Sequence, residues 1–206
     1  MIITKLNNKR MKKFMMIAAM VVASLNVSAQ GFFIKPMAGG TVTTMTGDVE
    51  KDLKMKVGFT AGAELGYHFN DLFALTAGAL YTQQGGKISI EATETTTGEK
   101  YSKSLDYLNV PILANVYVLP GLALKAGAQF GFLMRAKQED EDLKDFYNNT
   151  DFSIPVGLSY EMDEAVIDLR YNIGLSNIAK GGIANIVDYK VRNSVIMLTI
   201  GYKIPF

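Results

Sequence analysis

The chain has 206 residues, with 21 Lys and Arg against 20 Asp and Glu, one His and no Cys. A formal net charge of +1 implies no basic surface for nucleic acid, and the absence of cysteine excludes a disulfide framework, a thiol nucleophile and a Cys-based zinc site. No Pro/Gly/Ser linker and no shift in composition divides the sequence, so it reads as one domain behind a leader.

The leader covers residues 1–29. Lys5, Lys9, Arg10, Lys12 and Lys13 make a basic start, residues 14–25 are apolar, and Val27-Ser28-Ala29 has the small-residue pattern of a signal-peptidase site, placing cleavage near Ala29. The apolar run is shorter than the roughly 20 residues a transmembrane helix needs. Met11 would by itself open a complete signal peptide, so residues 1–10 read as an upstream extension. Cleavage removes five positive charges and no negative ones, leaving a formal charge of −4 on residues 30–206.

Strands follow one another through the rest of the chain. The first, over 32–43, alternates weakly because Pro36 and Gly39-Gly40 interrupt it. Over 57–69 the alternation is unbroken, with Val57, Phe59, Ala61, Ala63, Leu65, Tyr67 and Phe69 on one face and Gly58, Thr60, Gly62, Glu64, Gly66 and His68 on the other. This run is longer than the usual strand of about 5 to 6 residues and covers the roughly 9 to 11 that a tilted strand needs to cross a bilayer. The next apolar faces run from Phe73 to Tyr81 and from Leu108 to Val118, the second with Pro111 opposite, which predicts a bulge or local ladder defect. Further faces run from Leu122 to Met134, Phe152 to Met162, Ile167 to Leu175 and Ile196 to Phe206, which makes eight strands.

Alternation alone allows two opposite barrels. A soluble, lipocalin-like barrel turns its apolar face inward, and a membrane barrel turns it to lipid. The connections discriminate, because short turns at 70–71, 119–121 and 163–164 alternate with long polar segments at 46–56, 87–103, 136–150 and 176–193. Short turns at one end and long loops at the other is the layout of outer-membrane barrels. Glycines recur on the second face, at Gly58, Gly62, Gly66, Gly78, Gly127, Gly131, Gly157, Gly174 and Gly201. They suit the interior of an eight-stranded barrel, whose cross-section is just wide enough for side chains to fill. That face also carries Glu64, Glu161 and Asp168 against Lys125, Arg135, Arg170 and Lys203. An Arg or Lys facing lipid at mid-depth costs about 2–4 kcal/mol, so these residues are predicted to form an interior salt-bridge network. The predicted fold is all-β, an eight-stranded antiparallel up-and-down transmembrane β-barrel over residues 30–206. Its predicted surroundings are the lipid of a bacterial outer membrane.

The chain's end adds a more specific pattern. Thr199, Gly201, Ile204 and Phe206 stand at the spacing polar-x-Gly-x-x-apolar-x-aromatic, with Pro205 as an atypical member. This resembles the C-terminal signal read by the barrel insertion machinery, which it implies as a partner during biogenesis. Tyr107-Leu108-Asn109-Val110-Pro111-Ile112-Leu113, Ala126-Gly127-Ala128-Gln129-Phe130-Gly131 and Arg170-Tyr171-Asn172-Ile173-Gly174-Leu175-Ser176-Asn177-Ile178 resemble strands of the outer membrane protein beta-barrel domain family, the porin-family or PorT-like small barrels. Phe33-Ile34-Lys35-Pro36-Met37 departs from that family's Gly-x-Lys-x-Gly first strand. The resemblance implies fold and location, and its PorT-like side implies an accessory role in protein export.

A filled barrel has no wide lumen. The expected function is therefore structural or surface-binding, acting through the long loops on an extracellular or envelope protein partner. The alternatives are the export accessory, a narrow channel and a soluble carrier. No Ser/His/Asp constellation, metal-ligand cluster or phosphate loop stands in the sequence, so no catalytic, cofactor or metal residue is expected and the protein is read as no enzyme. His68, beside the 70–71 turn on the interior face, reads as a structural histidine. Glu139, Asp140, Glu141 and Asp142 make the third loop acidic and a candidate binding loop, although without the spacing of a calcium loop.

Overall fold

A computed structural model describes residues 31–47, 53–89, 100–138, 141–142, 144, 147–178 and 191–206. The expected signal peptide lies outside these residues, as do Glu139 and Asp140. Eight long strands carry the described part: β1 Phe32–Gly47, β2 Lys56–His68, β3 Phe73–Ser89, β4 Lys100–Leu119, β5 Leu122–Gln138, β6 Thr150–Met162, β7 Ala165–Gly174 and β8 Val191–Tyr202. Each pairs antiparallel with the next, and β8 with its continuation Ile204–Pro205 pairs back onto β1, closing the barrel. The pairs Leu53–Lys54 and Glu141–Asp142 extend the ladder on β3 and β5.

The strands are staggered as they close. From Phe32, cross-strand partners run through Tyr67, Leu75, Ala114, Ala126, Val156, Tyr171 and Ile196 back to β1 at Val42, ten residues beyond the start. Such a stagger accompanies the strand tilt that closure of a sheet requires. Tight turns join the strands at the end that holds both Phe32 and Phe206. Asn70 Oδ1 accepts the amides of Leu72 and Phe73 at 2.9 and 2.8 Å, and Gly121 and Asp163 adopt positive φ of 78° and 53°.

The strands outrun the sequence boundaries at the other end. β1 continues to Gly47, and β3 and β4 reach Ser89 and Lys100, inside the segment read as a loop. Their ladder holds from Gln83↔Asp106 to Ser89↔Lys100, because backbone pairing does not need the apolar alternation that marks the membrane-crossing part. The defect expected at Pro111 is present: the ladder lapses between Ala77↔Ile112 and Leu80↔Asn109 without losing register. A register shift falls elsewhere, where Asp106↔Arg135 is followed by Tyr107↔Leu133 and Met134 is left over as a bulge.

Burial is inverted relative to a soluble protein. Ile112, Leu124, Phe130, Ile154, Leu169, Ile196 and Leu198 are exposed, whereas Thr60, Glu64, Lys125, Gln129 and Arg170 are buried. A continuous exposed apolar band with a charged core is the arrangement of a barrel in lipid. Aromatic rings edge that band at both ends. Phe32, Tyr67, Phe69 and Phe73 form a chain with centroids 4.6 to 5.5 Å apart at the turn end, while Phe59–Tyr81 and Phe130–Phe152 pair at 5.8 and 5.2 Å towards the other.

Candidate functional site

The interior is filled in successive layers. At the turn end, Phe33 lies inward on β1, and Gly66 on β2 makes room for it, because a Cβ there would stand inside the Phe33 ring. His68 lies between Phe33 and Tyr117, tilted by 41° and 38° to their rings, with centroids 5.0 and 5.4 Å away. Lys203 Nζ sits 4.8 Å from the centre of the Phe33 ring and 2.6 Å from Glu161, which also accepts the Tyr117 hydroxyl at 2.7 Å.

The next layer is ionic. Arg170 donates to Asp168 twice, from Nε at 2.6 Å and Nη2 at 2.8 Å, and reaches Glu64 through Nη1 at 2.5 Å. Lys125 lies 2.5 Å from Asp168 and 3.6 Å from Glu64, and Lys35 lies 2.9 Å from Glu64 and 3.6 Å from Asp168. Lys125, Gly157 and Arg170 share one register row, and the missing side chain at Gly157 leaves the lumen to the two cations flanking it. All five charged side chains are at most 5% exposed. Pairing of this kind is what allows buried charge to persist.

Above the ionic layer Met37, Leu80 and Met197 form a small apolar cluster. Polar pairs include Thr60 with Thr82 at 3.0 Å and Gln129 donating to Ser153 at 3.2 Å. The loop end is roofed by the segment that follows β7. Ile178 is fully buried against Leu105, Tyr107, Leu133 and Ala136, with Tyr147 packed beside them. Asn148 fixes this roof: its amide donates to the Ile178 carbonyl and its side chain to the Asn177 carbonyl, both at 2.8 Å. Ser176 donates to Asp151 at 2.5 Å and accepts the Phe152 amide at 2.8 Å.

The sequence profile of the outer membrane protein beta-barrel domain family matches residues 19–180. The chain belongs to this family. Among solved structures it resembles Neisserial surface protein A, at 17% identity and a TM-score of 0.55, over 85% of this chain and 98% of that one. Ail, the attachment invasion locus protein of Yersinia pestis, aligns at 16% identity and a TM-score of 0.48, over 84% of this chain and 99% of that one. Among curated protein sequences none matches. Family membership and the lipid-facing band together make this a bacterial outer-membrane barrel, so its short turns face the periplasm and its long connections the cell exterior.

The predicted network divides in two and loses one member. Glu64, Lys125, Asp168 and Arg170 meet in the ionic layer, whereas Glu161 and Lys203 pair apart from it at the periplasmic end. Arg135 does not join either group. The bulge at Met134 puts Met134 and Arg135 both on the outer side, with Leu133 and Ala136 buried on either side of them. Lys35, which the sequence reading missed, is the fifth member of the ionic layer; it alternates inward with Phe33 and Met37 despite Pro36 between them. Thr199 and Gly201 of the C-terminal pattern face inward and are buried, while Ile204 and Phe206 are exposed on the outer wall. Of the acidic run, the described Glu141 and Asp142 pair with Gln138 and Lys137. Among the described residues no group of His, Cys, Asp and Glu could hold a metal ion.

Proposed function

We propose that this protein is a closed, non-enzymatic barrel of the outer membrane that acts at the cell surface, through its long connections and a protein partner outside the cell or in the envelope. The observation that carries this reading is the ionic layer: five interlocked charged side chains bridge the lumen from β1, β2, β5 and β7 and fill it. The roof at Ile178 adds a second obstruction. A solute path needs a lined opening through the barrel, and packed side chains occupy its place.

The exposed Ile204 and Phe206 at the closing seam support a reading of Thr199, Gly201, Ile204 and Phe206 as the segment recognised during insertion. Cleavage near Ala29 would leave the first described residue, Gly31, close to the new N-terminus.

Planar-bilayer recording tests the closed barrel, with no discrete conductance steps as the expected result and regular steps as the refuting one. Replacing residues 139–146 by a short turn, which leaves Ala136, Tyr147 and Asn148 of the roof in place, tests the surface role. Adhesion of cells displaying the protein should fall while the folded barrel, seen by its faster gel migration before boiling, is retained. Unchanged adhesion removes the role from this loop.

A further inference from the structure

The bulge at Met134 gives Arg135 a position that the apolar band does not explain. Going up the outer face of β5, Leu124, Phe130, Phe132 and Met134 are exposed and apolar, and the face then changes abruptly to Arg135 and Lys137. Phe152 of β6 closes on Phe130 at 5.2 Å, so aromatic rings lie farther down the same wall, on the membrane side of the two cations. Carboxylate residues stand opposite both in the ladder, Asp106 across from Arg135 and Asp142 across from Lys137. Asp106 is nevertheless buried and receives the Tyr81 hydroxyl at 2.7 Å, and neither Arg135 nor Lys137 forms an ion pair among the described residues.

Among the described residues, Arg192 is also exposed at the extracellular end of β8, whereas the exposed charged residues of the periplasmic turns are Asp71, Asp163 and Glu164. Cations above an aromatic edge, on the lipid side, match an anionic headgroup above its acyl chains. Bulges commonly re-aim a side chain, and this one turns an arginine from the lumen to the headgroup level. We propose that Arg135 and Lys137 hold the phosphate of an outer-leaflet lipid, whose chains lie against Phe130, Phe132 and Phe152.

The test uses the full barrel refolded in phosphatidylcholine vesicles containing a small amount of spin-labelled phosphatidic acid. The measured quantity is the association of this label relative to spin-labelled phosphatidylcholine, taken from the motionally restricted fraction. Each Lys or Arg near an anionic surface contributes on the order of 1 kcal/mol, so the R135Q/K137Q variant should lose roughly 30-fold in selectivity for phosphatidic acid. R135K/K137R, which keeps both charges, should retain the selectivity. Heat-modifiable gel mobility checks that both variants are folded. Equal selectivity in the wild type and R135Q/K137Q overturns the proposal. Displacement of the label by millimolar inorganic phosphate overturns the lipid assignment, because the site would then take free phosphate.

Discussion

Replacing Glu64 by Gln keeps the side chain's size and removes the charge that Lys35, Lys125 and Arg170 share. At an effective dielectric of about 20, the contacts at 2.9 and 3.6 Å each represent about 5 kcal/mol of Coulombic attraction. Desolvation of the buried groups offsets most of this in the intact layer. Removing one partner leaves the desolvation of the others uncompensated, with three cations facing Asp168 alone. The expected loss is about 3–5 kcal/mol, read from urea unfolding in phosphatidylcholine vesicles by gel mobility and by the far-ultraviolet circular dichroism of the barrel. Lys35→Met added to Glu64→Gln removes one charge of each sign and should restore about 1–3 kcal/mol relative to simple additivity. A Glu64→Gln barrel within about 1 kcal/mol of the wild type would refute the shared-carboxylate account. So would a double variant whose cost is the sum of the two single costs.

Leu169 points to lipid halfway along β7, between the two interior residues Asp168 and Arg170. Leu169→Arg should therefore destabilise the barrel by about 2–4 kcal/mol, whereas Tyr202→Arg, at the end of β8, should cost about 0–1 kcal/mol; equal costs in vesicle unfolding would contradict the assigned membrane depth. Gly66→Ala forces a methyl group into the Phe33 ring, which His68 and Lys203 hold in place, and a cost of about 1–3 kcal/mol is expected from the same unfolding measurement. The chain has no cysteine, so Ala136→Cys gives a unique thiol directly beneath Ile178. This thiol should resist a membrane-impermeant maleimide in the folded barrel and react after Ile178→Asp is added. Rapid labelling without that second substitution would show that Ile178 does not seal the mouth.

Much of the architecture was legible because a strand's side chains alternate strictly. Phe59, Leu65, Glu64 and His68 took their sides from one unbroken run, and the inward side of Gly66 and Gly157 follows from the same parity, whereas their places beside Phe33 and Arg170 come from the register of the ladder. Parity also explains the failure at Arg135. One surplus residue at Met134 reverses every later assignment on the strand, and nothing in Leu133-Met134-Arg135 advertises it. Lys35 was obscured for the opposite reason. Pro36 and the Gly39-Gly40 pair weaken the apolar pattern of β1, yet the strand passes through both with its register intact. The Leu-Ser-Asn-Ile ending was visible as a motif, but its work at the mouth depends on Asn148, Asp151 and Tyr107, which come from two other parts of the chain. Alternation says which way a side chain points along a strand, and it is silent on a segment that leaves the strand and folds over the lumen.

The ionic layer also bears on the order of assembly. Lys35 and Glu64 face each other on the neighbouring strands β1 and β2, and Lys125, Asp168 and Arg170 gather from β5 and β7, so two partial clusters can form while the sheet is still open. The contacts of Glu64 with Arg170 and Lys125, and of Lys35 with Asp168, span the lumen and exist only once the sheet has curled. An open sheet entering lipid would leave the Lys125–Asp168–Arg170 cluster, two cations to one carboxylate, without the Glu64 carboxylate that reaches Lys125 and Arg170 once β8 meets β1. Curling of the sheet and the cross-lumen contacts of Glu64 thus come together. A sheet that has not closed therefore lacks the pairing that offsets the desolvation of these charges, and closure of the barrel and burial of its ionic layer are one and the same requirement.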